Sequence, residues 1–360
     1  MGGHHAAALP KMEEVELIAV SDVNPETAAK VAGETGATAY PDYKELIRKG
    51  GIEAVLIATP HFFHPPIAEY AARHGVHVLS EKPIAVSVAA ADKMIATCKA
   101  NNVQLGIMFQ QRTDPARRKM KQMIEAGAIG PVHRVTMVSP WYRNQAYYDS
   151  GAWRGTWKGE GGGILMNQGP HSIDQFIWMG GMPQSVQGIA TTRLHNIEVE
   201  NTALSILDYG DGKLGWFYAS TAELPGGERI EVAGDSGMLT AESGVLRHLV
   251  MERPMSDHVH NATSMWEAIK GEWQDVAVEG DPASHIEVVK AFVRAVREND
   301  SSQLVASGED GLRSLELANA MLLAGFTRAE VKLPLDRGKF DRMLKKLIGG
   351  ASPAEFYKGK

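Results

Sequence analysis

The 360-residue chain has one cysteine, no long hydrophobic run and no excess of positive charge. Its single cysteine, Cys98, excludes an internal disulfide framework and a cysteine-based metal cluster, and we expect no metal site. No apolar stretch approaches the roughly 18 residues of a membrane span. A formal net charge of -6 gives no basic field that would attract a phosphate backbone. These absences argue against nucleic acids and membranes as partners, and we expect a cytoplasmic protein.

The length of the chain predicts more than one domain. A single hydrophobic core stops growing at about 250–300 residues, and 44% of these 360 residues are hydrophobic. We place a dinucleotide-binding domain at 1–112, a second domain at 113–330 and a C-terminal arm at 331–360. Two domains leave room for a cleft.

Residues 1–112 alternate apolar runs of strand length with stretches of helical period, the pattern of a Rossmann-type, doubly wound parallel sheet. Val15–Val20 predicts one strand, and Asn24 followed by Pro25 predicts the start of a helix that runs to about Gly33. Further strands are predicted at Ala37–Tyr40, Ala54–Ala58, Val76–Leu79 and Gln104–Met108, and further helices at Asp42–Arg48, Pro65–His74 and Val88–Lys99.

After Arg112 the pattern changes to an amphipathic helix followed by strands with turn signals between them, such as Tyr209-Gly210-Asp211-Gly212. It predicts an α+β domain with a large, mostly antiparallel open sheet. The helix is predicted at Pro115–Ala126, the strands at Val132–Ser139, Ser185–Thr192, Ala203–Asp208 and Leu214–Ser220, and closing helices at 283–297 and 309–328.

A partial dinucleotide fingerprint stands at the start of the chain. If Gly2 is the third glycine of such a turn, Asp22 follows about 20 positions later, where an acidic residue binds the ribose hydroxyls. The free carboxylate of Asp22 would repel a 2′-phosphate, which favours NAD over NADP. On this alignment the first strand precedes Met1, so we expect a reading frame that starts at an internal methionine and leave an upstream export signal open. An ordinary turn and carboxylate would give the same pattern.

Two further segments bear chemically useful residues. Glu81-Lys82-Pro83 follows the predicted strand Val76–Leu79, which places Lys82 at the carboxyl edge of the sheet, where ligands of such folds bind. A solvated pair of Glu81 and Lys82 is the simpler alternative. Later, the glycine triplet 161–163 indicates close backbone approach, and His171 and Asp174 share one helix face at spacing i, i+3. A lone histidine there is also compatible with a core position.

In this order, the motifs resemble the glucose–fructose oxidoreductase / inositol dehydrogenase / MocA family, from Gly2 to about Leu335. The resemblance implies that Lys82 is the catalytic lysine and that His171 is the histidine of the family's Gly-x-His-x-x-Asp segment. The cofactor-binding residues that it implies are Gly2, Asp22, Thr59, Pro60, His64, Glu81, Lys82 and Gln110. The substrate-binding residues that we expect are Asn167, Asp174, Arg154 and Trp153.

One residue departs from the family pattern. Many members have an aspartate four residues before the histidine, whereas this chain has Asn167, which cannot titrate. Asn167 should therefore orient substrate hydroxyls and leave proton transfer to Lys82 and His171. A lysine titrates near about 10.4, so its pKa must fall through desolvation or a neighbouring positive charge if it is to act near neutrality.

Aromatic and arginine side chains cluster just before the glycine triplet and suit the faces and hydroxyls of a sugar, although packing at the domain junction would also explain them. They are Trp141, Tyr142, Arg143, Tyr147, Tyr148, Trp153, Arg154 and Trp157.

The resemblance implies an NAD-dependent dehydrogenase that transfers a hydride to or from a sugar, cyclitol or polyol and that assembles as a homodimer or homotetramer. Two alternatives stay open. One is an NAD-dependent glycosidase that oxidises its sugar transiently, and the other is a non-catalytic ligand-binding or assembly subunit whose cofactor site has decayed. Net NADH production separates the first alternative from a dehydrogenase.

Overall fold

The computed structural model of the protein describes residues 1–357. Contacts divide the chain into two compact units: unit 1 is Met1–Gln110 with Ser284–Leu312, and unit 2 is Gln111–Ala283 with the residues from Arg313 onward. Unit 1 thus includes a segment from the later part of the chain. The domain ranges 1–112, 113–330 and 331–360 remain predictions.

The helices and strands follow in chain order. Residues 1–110 form α1 (Gly2–Ala8), β1 (Ala19–Ser21), α2 (Pro25–Thr35), β2 (Thr38–Tyr40), α3 (Tyr43–Lys49), β3 (Ala54–Ile57), α4 (His64–Ala72), β4 (His77–Ser80), α5 (Val88–Ala100) and β5 (Leu105–Ile107). Residues 111–283 form α6 (Pro115–Glu125), β6 (Val132–Pro140), α7 (Gln145–Asp149), α8 (Trp157–Glu160), α9 (Pro170–Gly180), β7 (Ser185–Thr191), β8 (Thr202–Gly210), β9 (Lys213–Ser220), β10 (Arg229–Gly234), β11 (Gly237–Glu242), β12 (Val245–Met251), α10 (Met255–Asn261) and β13 (Gly271–Val276). Residues 284–357 form α11 (His285–Glu298), α12 (Gly308–Thr327), β14 (Val331–Lys332) and α13 (Arg337–Ile348).

Helix α2 begins at the cap and proline that the sequence predicts. The Asn24 side chain accepts hydrogen bonds from the backbone N–H groups of Glu26 and Thr27, and Pro25 occupies the first helical position. Gly36 ends the helix with φ 77°, a left-handed conformation that glycine adopts without steric cost. The predicted cap and proline are confirmed.

The strands of unit 1 are parallel, as the Rossmann-type pattern predicts. They form two sheets among the described residues, one of β1 and β2 and one in the order β3-β4-β5. Strand β1 and most of β3 are only half-buried. Helix α11 packs on the second sheet, where Val288 and Phe292 join a buried cluster with Leu79 and Met108. This core holds β4 and the residues that follow it.

Unit 2 is built on one large sheet. Among the described residues its strand order is β13-β12-β11-β10-β6-β9-β8-β7-β14, and every pair is antiparallel except the parallel pair β6 and β9. Helix α9 packs on β6, and the rings of Phe176 and Phe217 meet edge to face with centroids 5.9 Å apart. The predicted α+β architecture with a mostly antiparallel sheet is confirmed.

Several segments differ from the sequence prediction, among them the short helices α7, α8 and α10, which are additional. The strand expected at Val15–Val20 is the shorter Ala19–Ser21, and helix α1 is additional. Strands β10 to β13, between residues 229 and 276, were not predicted. The segment expected as an arm, 331–360, supplies β14, which pairs with β7, and helix α13 with its apolar face buried. Residues 1–357 contain no helix with both the length and the apolar character needed to cross a bilayer.

Candidate active site

The predicted cofactor residues of unit 1 stand where parallel strands end. Asp22 follows β1 and is exposed, Thr59 and Pro60 follow β3, and Glu81 and Lys82 follow β4 directly. Ligands of open α/β folds bind outside the carboxyl ends of the strands. Gln110 begins a single 3-10 turn shortly after β5 and is half-buried. The structure therefore gives these residues positions that suit a dinucleotide.

Gly2 opens helix α1 beside the segment after β3. A Cβ atom added to Gly2 would lie 3.9 Å from the Cβ atom of Ala58, which is an ordinary van der Waals contact. Close packing of the helix on the strand therefore does not by itself require glycine at this position. The predicted cofactor contact of Gly2 remains the reason to assign it.

Glu81 is buried and bound to a residue that the sequence prediction missed. Its Oε1 atom lies 2.8 Å from Nε2 of His5 in α1, and the backbone N–H of Lys82 donates to its Oε2 atom at 3.3 Å. The carboxylate thus links α1 to the backbone that carries Lys82. The only sequence signal for His5 was its spacing of one helical turn from Gly2.

Two further histidine rings, those of His4 and His285, lie beside the His5 ring. The ring centroids of His4, His5 and His285 are 5.1 to 5.8 Å apart in edge-to-face contacts. Burial lowers the pKa of His285 below its usual value, against the opposing effect of the Glu81 charge. In the part of the chain that the structure describes, no histidine, cysteine, aspartate or glutamate cluster is arranged to hold a metal ion.

His64 connects two of the predicted cofactor loops. Its Nδ1 atom lies 2.8 Å from the carbonyl oxygen of Pro83, and its Nε2 atom lies 2.8 Å from the carbonyl oxygen of Thr59. The ring is fully buried, and burial lowers its pKa although both carbonyl groups oppose that shift. His64 therefore fixes the backbone beside Lys82, while its predicted contact with the cofactor stays a prediction.

In unit 2, Asn167 lies just after the glycine triplet and is held on two sides. Its side-chain amide donates to the carboxylate of Glu160 and, at 3.3 Å, to the hydroxyl of Tyr147. Glu160 is buried and also accepts a 2.6 Å hydrogen bond from the backbone N–H of Gly155. These contacts fix the orientation of the Asn167 amide, whose contact with a substrate stays a prediction.

A second buried carboxylate shapes the glycine triplet. Glu200 accepts hydrogen bonds from the backbone N–H groups of Gly163 at 2.9 Å and Leu165 at 3.1 Å. A Cβ atom on Gly163 would collide with the carbonyl oxygen of Glu200, so only glycine fits there. Burial raises the pKa of Glu200 to about 7. The close backbone approach predicted for the triplet is confirmed at this position.

Helix α9 carries His171 and Asp174, whose environments differ. His171 is half-buried, whereas the Asp174 carboxylate is buried and accepts two hydrogen bonds from Arg112, at 2.8 and 2.7 Å. Arg112 was not assigned from the sequence, because nothing local links it to a residue 62 positions away. A direct substrate contact by Asp174, as predicted, would compete with this ion pair.

The aromatic cluster divides into packing and half-buried members. Trp157 and Tyr148 are buried, with Trp157 against Phe326 and the Tyr148 hydroxyl bonded to Thr221 at 2.7 Å. The half-buried members are Arg143, Tyr147, Trp153 and Arg154, and the exposed ones are Trp141 and Tyr142.

Parallel strands with polar and charged residues at their carboxyl ends are typical of dinucleotide-binding proteins, and comparison with known proteins names the family. Residues 1–109 match the model of the NAD-binding Rossmann fold of the GFO/IDH/MocA oxidoreductases, and residues 117–240 match the GFO/IDH/MocA C-terminal domain. The chain belongs to the GFO/IDH/MocA oxidoreductase family. It is accordingly an NAD-binding oxidoreductase.

Individual relatives span most of the chain. The myo-inositol 2-dehydrogenase of Thermotoga maritima is 26% identical over 344 residues, which cover 92% of this chain and 96% of the relative. The rhizopine catabolism protein MocA of Rhizobium meliloti is 28% identical over 67% of this chain and 75% of its own length. The WlbA dehydrogenase of Bordetella pertussis, solved with NADH and UDP-GlcNAcA, is similar with a TM-score of 0.78 and 27% identity, over 93% of this chain and 96% of that chain.

Proposed function

We propose that the protein oxidises a carbinol carbon of a sugar, cyclitol or related polyol, or reduces the corresponding ketone, with NAD as the hydride carrier. The observation that carries the proposal is the setting of Lys82. It stands immediately after β4, at the carboxyl end of a parallel strand, and the neighbouring Glu81 is buried against His5. A lysine held on such a backbone suits a role in proton transfer.

The residues that would hold the cofactor are those at the strand ends. Asp22 would accept hydrogen bonds from the adenosine ribose, and its exposed carboxylate favours NAD over NADP. Thr59, Pro60 and Glu81 would contact the cofactor nearer its nicotinamide half. When bound, NAD supplies the hydride acceptor or donor.

The chain's own residues would move the proton. During oxidation the substrate hydroxyl loses its proton as the carbon loses a hydride, and Lys82 Nζ accepts that proton. His171 shares this role through its ring, and in the reverse direction both return the proton to the ketone oxygen. The roles of Lys82 and His171 rest on the family motif and on the position of each residue within its own unit.

Unit 2 would bind the substrate. Asn167, fixed by Glu160 and Tyr147, would donate to or accept from a sugar hydroxyl. Trp153 offers an aromatic face to C–H groups, and Arg154 offers several N–H donors. The inositol dehydrogenase among the relatives supports a polyhydroxylated substrate.

The direct test supplies NAD⁺ with myo-inositol, D-glucose and UDP-N-acetylglucosaminuronate in separate reactions and follows net NADH formation. Stoichiometric NADH and ketone from one of them supports the dehydrogenase. Cleavage of an added glycoside without net NADH would point instead to the glycosidase mechanism. Absence of NADH binding in a direct titration would remove the redox proposal and favour a non-catalytic subunit.

We also propose that the protein assembles with further copies through the outer face of the large sheet. Apolar side chains are exposed in register there, with Ile206 opposite Trp216 and Leu204 opposite Ile189. A contiguous apolar surface of this kind is typical of an interface.

A further inference from the structure

Two arginine side chains surround the ring of Tyr147 in unit 2. The guanidinium carbon of Arg154 lies 4.4 Å from the ring centroid of Tyr147 and 4.4 Å from that of Trp153, and its Nη1 atom donates to the Tyr147 hydroxyl at 2.7 Å. The guanidinium carbon of Arg143 lies 5.0 Å from the same Tyr147 centroid. Two positive charges therefore share one aromatic residue.

Neither charge is paired with a carboxylate in the part of the chain that the structure describes. Among residues 1–357, no carboxylate oxygen lies within ion-pair distance of the Arg143 or Arg154 guanidinium. Arg143 donates from Nη1 to the carbonyl oxygen of Tyr142 at 2.9 Å, but its Nε atom is buried and has no hydrogen-bond partner. Burying a donor of a charged group without an acceptor is costly, so an acceptor from outside the chain would relieve it.

Two carboxylates of this part of unit 2 already have other partners. Glu160 accepts from the Gly155 backbone and from Asn167, and Asp149 accepts from the Gln145 side chain at 3.0 Å. By contrast, Arg247 also lies over an aromatic ring, that of Trp273, yet it is paired with Asp275 at 3.1 Å. Stacking on an aromatic ring therefore does not explain why Arg143 and Arg154 lack a carboxylate.

The same tyrosine connects the arginines to the predicted substrate residues. Its hydroxyl accepts hydrogen bonds from Asn167 at 3.3 Å and from Gln168 at 3.1 Å. Arg154 and the Asn167 amide thus converge on the Tyr147 hydroxyl, while Arg143 lies over the ring of the same residue.

We propose that Arg143 and Arg154 form a subsite for an oxyanion, so that the substrate is an anionic sugar with a carboxylate or phosphate group. The planar guanidinium matches the geometry of both groups. This inference rests on the proposed function, whose reacting sugar would be positioned by Asn167, and it adds the charge that the substrate carries.

The test compares three sugars that differ in one substituent: D-glucose, D-glucuronate and D-glucose 6-phosphate. Binding of each to the NADH-saturated full-length protein is measured by calorimetry. We expect at least one anionic sugar to bind about tenfold or more tightly than D-glucose, since bonds to charged groups are the stronger ones. Whether D-glucuronate or D-glucose 6-phosphate shows the preference identifies the carboxylate or the phosphate as the recognised group.

Variants then locate the effect. In Arg154→Gln and in Arg143→Gln, the anionic preference, which is the dissociation constant of D-glucose divided by that of the anionic sugar, should fall to within about twofold of unity. The matched control is Arg247→Gln, because Arg247 is also stacked on an aromatic ring but is paired with a carboxylate. This control should retain the wild-type preference. In the wild-type protein alone, the preference should also fall as the salt concentration rises. That second measurement does not depend on how a variant folds.

Three results would overturn the subsite. They are a preference near unity in the wild-type protein, failure of both anionic sugars to bind, and a preference that survives both arginine substitutions. NADH titration and net turnover on the same samples report separately on the proposed dehydrogenase. Loss of NADH binding marks failure of that function, whereas failure of the subsite appears only in the ratio of sugar affinities.

Discussion

Asp174 accepts hydrogen bonds from two nitrogen atoms of Arg112, at 2.7 and 2.8 Å, and both side chains are buried in unit 2. This pair ties the turn before α6 to α9, the helix that also carries His171 one turn earlier. Because its oxygen atoms are engaged, we expect Asp174 to influence the reaction chiefly through the placement of His171.

Substitution Asp174→Ala should lower the free energy of unfolding by about 3–5 kcal/mol, because it removes one carboxylate partner from the buried charge of Arg112. Urea unfolding followed by tryptophan fluorescence measures the loss. The double variant Asp174→Leu with Arg112→Met is the control, since replacing both partners of a buried pair by apolar residues is often neutral. A loss below about 1 kcal/mol in Asp174→Ala would show that the pair contributes little.

Glu200 predicts a pH dependence of stability. Burial raises its pKa to about 7, so between its ordinary value of 4.5 and 7 the folded state holds a proton that the unfolded state has lost. The contribution of Glu200 to the free energy of unfolding is therefore most favourable at low pH and declines as the pH rises through that window. The decline amounts to about 3 kcal/mol, because one pKa unit corresponds to about 1.36 kcal/mol. Glu200→Gln, which cannot ionise, should not show this decline. Parallel pH profiles of wild type and variant, measured by chemical unfolding at pH 5 and pH 8, would contradict the assignment.

The cofactor preference can be changed at one exposed carboxylate. Substitution Asp22→Ser removes the acceptor of the ribose hydroxyls and the repulsion of a 2′-phosphate, so NADH should bind about tenfold more weakly and NADPH relatively more tightly. Fluorescence titration with both nucleotides measures the change. Glu34→Gln on α2, which also removes one exposed negative charge, serves as the control. An unchanged NADH to NADPH ratio in Asp22→Ser would mean that this residue does not face the ribose.

The exposed apolar face of the large sheet predicts how copies associate. Ile206 is 59% exposed and lies opposite Trp216, so Ile206→Glu would place a charge in the proposed interface and should shift the protein towards a smaller species. Light scattering after gel filtration measures the mass. Val259→Glu, at an exposed apolar position on α10, should leave the mass unchanged. An unchanged mass for Ile206→Glu would place any interface elsewhere.

Much of unit 1 could be predicted because its signals are local. Asn24 and Pro25 begin α2 as expected, and Lys82 follows a buried strand, since capping groups and apolar runs act over a few residues. Strand β13 could not be predicted because it is largely exposed and polar, so it lacks the apolar alternation that marks a half-buried strand.

The partners of the site residues could not be predicted, because they come from distant parts of the chain. His5 meets Glu81 across 76 positions, and Arg112 meets Asp174 across 62. Such pairs leave no spacing in the sequence, and a buried carboxylate such as Glu200 looks like any solvated one until the fold surrounds it. The motif identified the loops, and the structure showed what holds them.

We expect Lys82 to carry the proton while the residues around it hold the cofactor. To test this role, NADH affinity and the rate of NAD⁺ reduction are measured in wild type and in Lys82→Ala, with the substrate that the wild type turns over. If Lys82 has this role, the dissociation constant of Lys82→Ala for NADH should stay within about threefold of wild type, and its kcat should fall by at least about 10²-fold. Turnover near the wild-type rate in Lys82→Ala, with NADH still bound, would contradict it.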